Sequence, residues 1–174
     1  GRETSGFMAQ DILSEMKKQK VDIACFQEYN DHAGDKRNSD SYKEYFPYSA
    51  VGQSDMVIYS RYPIVNSKNI QFEMTTNSAM WAEIKVNDDI YRVYNAHMQT
   101  TGINGTLHRV AKQQSKGLDV QNNTLINALY GNYTVGMIAR STQAEILARD
   151  MKEREAPIIV CGDFNDVPYS YVYN

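Results

Sequence analysis

Apolar residues in this chain fall into short runs, and three of those runs end in groups able to bind a cation or move a proton. Val21-Asp22-Ile23-Ala24-Cys25-Phe26 leads into Gln27-Glu28, and Ile90-Tyr91-Arg92-Val93-Tyr94 leads into Asn95-Ala96-His97. Ile158-Ile159-Val160-Cys161 lies between Pro157 and Gly162 and leads into Asp163-Phe164-Asn165-Asp166. The last run has the pattern of a strand buried on both faces, though so short a run also suits a piece of buried helix. Open α/β sheets bind ligands at the carboxyl ends of their strands, which is where all three polar sets stand. Taken alone, Gly-Asp-Phe-Asn-Asp is equally an Asx-rich turn. Three runs ending alike point to a site.

The remaining pattern predicts the frame around these strands. From about Ser5 to Lys20, Phe7, Met8, Ile12, Leu13 and Met16 recur at helical spacing, with Lys17, Lys18 and Lys20 at the negative end of the helix dipole. Residues 30–41 are polar and aperiodic, which predicts an exposed loop. Tyr42–Ala50 is aromatic-rich and reads as an edge segment, and Ser54–Ser60 reads as a strand closed by Arg61-Tyr62-Pro63-Ile64. Pro63 bars a central ladder position there. Ser78–Val86 alternates, Met80, Ala82, Ile84 and Val86 against Trp81, Glu83 and Lys85, and Asn87-Asp88-Asp89 turns it into the strand ending at His97. That is the clearest hairpin in the chain. Thr100–Tyr133 is polar and partly helical at best, an expected insertion at about residues 100–133 over the site end. Val135, Ile138, Leu147 and Met151 trace a helix through Thr134–Glu155 that returns the chain to the Pro157 strand. No repeat or linker divides residues 1–174, so a single domain is expected.

Bulk composition narrows the partners. The 174 residues suffice for one domain with a real core, and a net charge of −3 offers no global basic field for nucleic acid. A local patch or a bound cation can still supply positive charge. Cys25 and Cys161 fall in expected strands and read as small core hydrophobes rather than a disulfide or catalytic thiols. No apolar run approaches the roughly 18 residues of a membrane span, and no signal peptide is present, so this stretch reads as soluble. The opening Gly1-Arg2-Glu3-Thr4-Ser5-Gly6 reads as a cut end of something longer.

Glu28 supplies a hard oxygen, and Asp163 with Asn165 supplies more. Without a cysteine or histidine cluster, the implied cation is Mg²⁺, or Mn²⁺ in its place, rather than Zn²⁺. An aspartate held by a neighbouring amide can position and deprotonate a water for in-line attack on phosphorus. His97, as imidazolium, can hydrogen-bond a non-bridging phosphate oxygen. The plain alternative, a half-buried histidine bonded to backbone, is outweighed by its place at the end of a converging strand.

At these motifs the chain resembles the endonuclease/exonuclease/phosphatase superfamily, the fold of pancreatic deoxyribonuclease. The matching pieces are Asp22-Ile23-Ala24-Cys25-Phe26-Gln27-Glu28, Tyr59-Ser60-Arg61-Tyr62-Pro63-Ile64, Asn95-Ala96-His97, Arg140-Ser141-Thr142-Gln143-Ala144 and Gly162-Asp163-Phe164-Asn165-Asp166. They stand in family order and span most of the chain. The resemblance implies an α/β fold, a four-layer α/β/β/α sandwich of two packed mixed sheets with a site at their top. It implies that Glu28 is the metal ligand, Asp163 activates water, Asn165 orients Asp163 and the substrate, and His97 contacts phosphate. Asn95 and Gln27 are supporting residues on this reading, and Asp166 belongs to the surroundings or the turn. Arg140 and Gln143 either brace the helix against the site floor or lie on a solvated face. Two family elements are missing, an opening strand with an Asn and a closing Ser-Asp-His segment, so the domain is expected to be partial and this chain catalytically crippled. Exposed sheet edges then make self-association a risk.

The resemblance is closest to bacterial members, some of which carry a membrane anchor ahead of this domain, so an anchored or exported full-length protein stays open. The substrate class also stays open between a nucleic-acid phosphodiester, a sugar or inositol phosphate, and a lipid head group, with a non-catalytic binding domain as the alternative. His108, Lys112 and Lys116, four residues apart with Arg109 adjacent, form a basic stripe if helical, or simply a solvated face. Tyr42, Tyr45, Phe46 and Tyr48 serve core or edge packing or, alternatively, stack on bases.

Overall fold

The computed structural model describes residues 9–29, 36–53, 56–73, 75–115, 122–154, 157–167, 170 and 172. Its first helix, α1 (Ala9–Lys18), ends beside a left-handed residue, Lys20, at φ 55°. The Val21 N–H then bonds the Met16 carbonyl at 2.9 Å, a Schellman-type closure made without glycine. That closure turns the chain directly into β1 (Ile23–Phe26).

Next come α2 (Lys36–Tyr45), β2 (Tyr48–Val51), β3 (Val57–Ser60), β4 (Ile64–Gln71), β5 (Ser78–Val86) and β6 (Asp89–His97). Helices α3 (Ile103–Gln114) and α4 (Asn122–Lys152) follow, and β7 (Ile158–Asp163) comes last. The strands form two sheets, β1-β3-β2 and β4-β5-β6-β7, all antiparallel except the β6–β7 pair. This is a mixed α/β fold with two sheets.

The chain divides into two compact units. The first comprises Gly1–His97 and Glu155–Asp163. Strand period two gives it two cores. Ala50, Met56 and Ile58 from the first sheet meet Met80, Ala82, Ile84 and Val93 from the second. On the opposite face Val57 and Tyr59 pack with Leu13 of α1 and Tyr42 and Phe46 at the end of α2. Helices, sheet and sheet thus make three layers, and β3 is buried on both sides. Burying a side chain such as Ile58 contributes about 1.5–3 kcal/mol.

The second unit comprises Met98–Arg154 and Phe164–Asn174. In it, Asn132 of α4 donates a 2.6 Å bond to the Thr106 hydroxyl of α3. Gly136, Arg140, Gln143 and Leu147 form the buried stripe of α4.

Several expectations need correction. Residues 36–41, read as loop, are helical, and Tyr42–Tyr45 completes that helix, because Tyr42 and Phe46 fill the face of β3; of the expected edge segment Tyr42–Ala50, Tyr48–Ala50 lies in the edge strand β2. The eight-residue β4 carries little apolar signal in Ile-Val-Asn-Ser-Lys-Asn-Ile-Gln and had no counterpart in the pattern. The polar stretch after Thr100 is largely helical, α4 starting at Asn122 rather than Thr134. Val135 and Ile138, expected on its buried face, are 67% and 64% exposed. Strand β7 is not buried on both faces: among the described residues β6 is its only partner, and Ile159 and Val160 are exposed. The two cysteines are half-buried, Cys25 at the margin of the core between the sheets. The expected helix start at Ser5, residues 30–35, Ser54, Lys116 and the side chain of Arg109 lie outside the described residues.

Candidate active site

The β5–β6 hairpin positions His97. Its two-residue turn places Asn87 in the left-handed region, φ 56°, which Asn tolerates, and the ladder runs unbroken from Val86↔Asp89 to Ala79↔Ala96. On the other side β6 pairs with β7 in parallel, Arg92↔Ile158 through His97↔Asp163. The last pair sets Asp163 directly beside His97. Gly162, at φ 154°, makes this possible: a Cβ there would collide with the Ala96 carbonyl oxygen. Glycine thus permits the close backbone approach that delivers Asp163 to its place.

Two residues before His97, Asn95 is fully buried. Its Nδ2 donates to the Phe26 carbonyl at 2.9 Å and the Val57 carbonyl at 3.2 Å, and its Oδ1 accepts from Gln27 Nε2. One amide therefore ties β6 of the second sheet to the end of β1 and the start of β3 in the first. Glu28 follows Gln27, exposed and held at φ 54°. A non-glycine residue there carries strain of about 1 kcal/mol, the kind that gathers at functional sites. Asp163 is exposed and His97 half-buried. A hydrogen bond joins Gln27 to Asn95, the ladder register sets His97 beside Asp163, and Glu28 follows Gln27 beyond the end of β1.

Asn165, Asp166, Arg140 and Gln143 belong to the second unit, where they fasten the two residues after His97. Asn165, itself left-handed at φ 49°, donates from Nδ2 to the Met98 carbonyl at 2.9 Å. The Gln99 N–H donates to Gln143 Oε1 at 2.9 Å, and Arg140 Nη1 donates to the Gln99 carbonyl at 3.2 Å. Arg140 is 1% exposed and pairs through Nε with Asp166 at 3.0 Å. Burial pushes the Asp166 carboxyl up, but the Arg140 hydrogen bond, the Val167 N–H and the Arg140 charge outweigh it and hold its pKa below the ordinary 3.8. Arg140 and Gln143 are therefore buried polar anchors and not a solvated face. Gln99 has no sequence signal beyond following His97, and pattern reasoning overlooked it.

The donors Glu28 and Asp163 are hard carboxylates, chemically suited to Mg²⁺. Among the described residues no group of three or more His, Cys, Asp or Glu forms a cation cage. Mg²⁺ binds through one or two carboxylates and keeps its waters, so a sparse set fits it. His108 and Lys112 are exposed on α3, as a solvated face would have them. Tyr42 and Phe46 are core residues and Tyr48 is exposed.

The sequence profile of the Endonuclease/Exonuclease/phosphatase family matches residues 7–174. The chain belongs to this family. Among solved structures, sphingomyelinase C from Streptomyces griseocarneus superposes with a TM-score of 0.66 at 16% identity, over 95% of this chain and 59% of that one. A beta toxin from Staphylococcus aureus with bound magnesium ions gives 0.62 at 15%, over 95% and 59%. TDP2 from D. rerio, complexed with a single strand DNA product, gives 0.61 at 14%, over 93% and 55%. At these identities the likeness is one of fold, and the family member here spans less than two thirds of each of these chains. A search of the curated proteins finds no match. No helix among the described residues is long and apolar enough to cross a membrane.

Proposed function

We propose that this chain carries the site of a Mg²⁺-dependent phosphoesterase, built from Glu28, His97 and Asp163 and supported by Asn95 and Gln27. The observation that carries the reading is the terminal His97↔Asp163 pair of the parallel ladder, on the strand that Asn95 ties to Phe26 and Gln27, the residues leading into Glu28. Asp163 takes the proton from a water attacking phosphorus in line, while His97 hydrogen-bonds a non-bridging oxygen and stabilises its growing charge. Glu28 holds the cation, which when bound neutralises phosphate charge as a Lewis acid. Asn165, two residues beyond Asp163, orients it, and the Arg140–Asp166 and Gln143 anchors fix the backbone that leaves His97. On this reading residues 100–133 are an insertion within one catalytic domain.

The solved relatives named above, one a sphingomyelinase and one bound to a DNA product, support phosphate esters as the substrate class. The test gives the full-length protein, rather than residues 1–174 alone, a panel of single-stranded DNA, sphingomyelin vesicles, an inositol phosphate and nitrophenyl phosphate mono- and diesters, with Mg²⁺ or EDTA. Turnover of at least one ester with Mg²⁺, lost in Asp163→Asn, is the expected result. A nucleic-acid substrate further brings strong salt dependence, and a small ester does not. No turnover of any ester, or an Asp163→Asn variant as active as wild type, would overturn the proposal.

A further inference from the structure

The first unit holds two thiols from opposite sheets in contact. Cys25 of β1 pairs in register with Ile58, and both pack into the core between the sheets. Cys161 of β7 pairs in register with Asn95, whose side chain reaches the Phe26 and Val57 carbonyls of the first sheet. Register partners share a face of their sheet, so Cys161 points toward the first sheet just as Cys25 points toward the second. Strands β1 and β7 touch, and the two free thiols face each other across that contact.

We propose that Cys25 and Cys161 are an oxidisable pair that closes an intersheet disulfide, joining the strand that leads into Glu28 to the strand that ends at Asp163, when the protein meets a peroxide. The sulfur of Cys161, as thiolate, attacks one peroxide oxygen, the O–O bond breaks, and the departing hydroxide takes up a proton as water, leaving a sulfenic acid. Cys25 loses its proton and attacks that sulfur, and the displaced hydroxide leaves as a second water. Two thiols and one hydrogen peroxide thus give one disulfide and two waters. The loop closed runs through most of the chain, so the bond removes much conformational freedom from the unfolded state. This pairing does not depend on the phosphoesterase reading.

The test treats the reduced wild-type protein with hydrogen peroxide and reads three quantities. The two titratable thiols of the chain should fall to zero in denaturant. Non-reducing peptide mapping should give the Cys25 and Cys161 peptides as one species lighter by two hydrogens. The unfolding midpoint should rise by roughly 5–10 °C and return on reduction. Cys161→Ser should leave Cys25 a free thiol and show no such rise. Two thiols persisting, oxidation confined to Cys161, or a disulfide between two molecules would each overturn the proposal.

Discussion

His97 and Asp163 are register partners at the last step of the parallel ladder between β6 and β7. The pairing places an imidazole and a carboxylate side by side on backbone fixed by two neighbouring strands. If Asp163 is the base and His97 the phosphate contact, both changes should act on rate and leave the fold alone. Asp163→Asn is expected to lower kcat by about 10³-fold, and His97→Ala by about 10²-fold, with unfolding midpoints within a few degrees of wild type. Steady-state kinetics beside thermal unfolding check this, and a large loss of stability in either variant would reassign that residue to the fold.

Asn95 makes the opposite case. Fully buried itself, it gives two hydrogen bonds to backbone carbonyls of the first sheet and takes one from Gln27. Asn95→Leu keeps the volume but strands those partners, and the expected cost is about 3 kcal/mol. Urea unfolding measures it. A loss below about 1 kcal/mol would mean that the link between the sheets does not rest on this amide.

Glu28 sits at φ 54°, a conformation that glycine adopts without penalty. Glu28→Gly is therefore expected to leave the unfolding midpoint unchanged or raise it, while metal-dependent activity disappears. Glu28→Ala retains a Cβ and so retains the strain, and should gain no stability. Paired melting and activity measurements on the two variants separate backbone strain from metal binding, and a Glu28→Gly protein that melts well below Glu28→Ala would contradict the assignment.

Asp166 carries a pH dependence. Its folded pKa lies below 3.8, so the stability it contributes is present above about pH 4 and is lost as the pH falls toward the folded value. Asp166→Asn leaves Arg140 buried without its carboxylate, at an expected cost of about 2–4 kcal/mol near pH 7. The variant should also lose stability less steeply than wild type between pH 5 and pH 2. Parallel acid-unfolding slopes for the two proteins would contradict the ion pair.

The parts of this fold legible in the residues were those where period and chemistry agreed. Ser78–Val86 alternated cleanly, and it is β5 to the residue. The runs ending at Glu28, His97 and Asp163 also emerged as strands, because β-branched and aromatic residues are concentrated there. Strand β4 escaped notice because most of its side chains face solvent, and a strand that buries little leaves little pattern. Helix α2 escaped because its anchors, Tyr42 and Phe46, lie at its end, after a polar start that read as loop. The buried stripe of α4 was misplaced because it is built on Gly136, Arg140 and Gln143, while its apolar Val135 and Ile138 face outward. A buried arginine satisfied by a carboxylate and a carbonyl has no hydrophobic signature. Around the candidate site, residue types revealed the donors, and only coordinates could reveal that Asn95 joins the sheets or that Asn165 fastens Met98.

On the proposed reading, Glu28, His97 and Asp163 surround one place for a hard cation. Titrating the ¹⁵N-labelled protein with Mn²⁺ and recording the loss of amide signals by distance tests it most directly. Broadening is expected to centre on the amides of Glu28, His97 and Asp163, to be competed away by Mg²⁺ and to be largely abolished in Glu28→Gln. Broadening centred on another surface, or unchanged in Glu28→Gln, would contradict it.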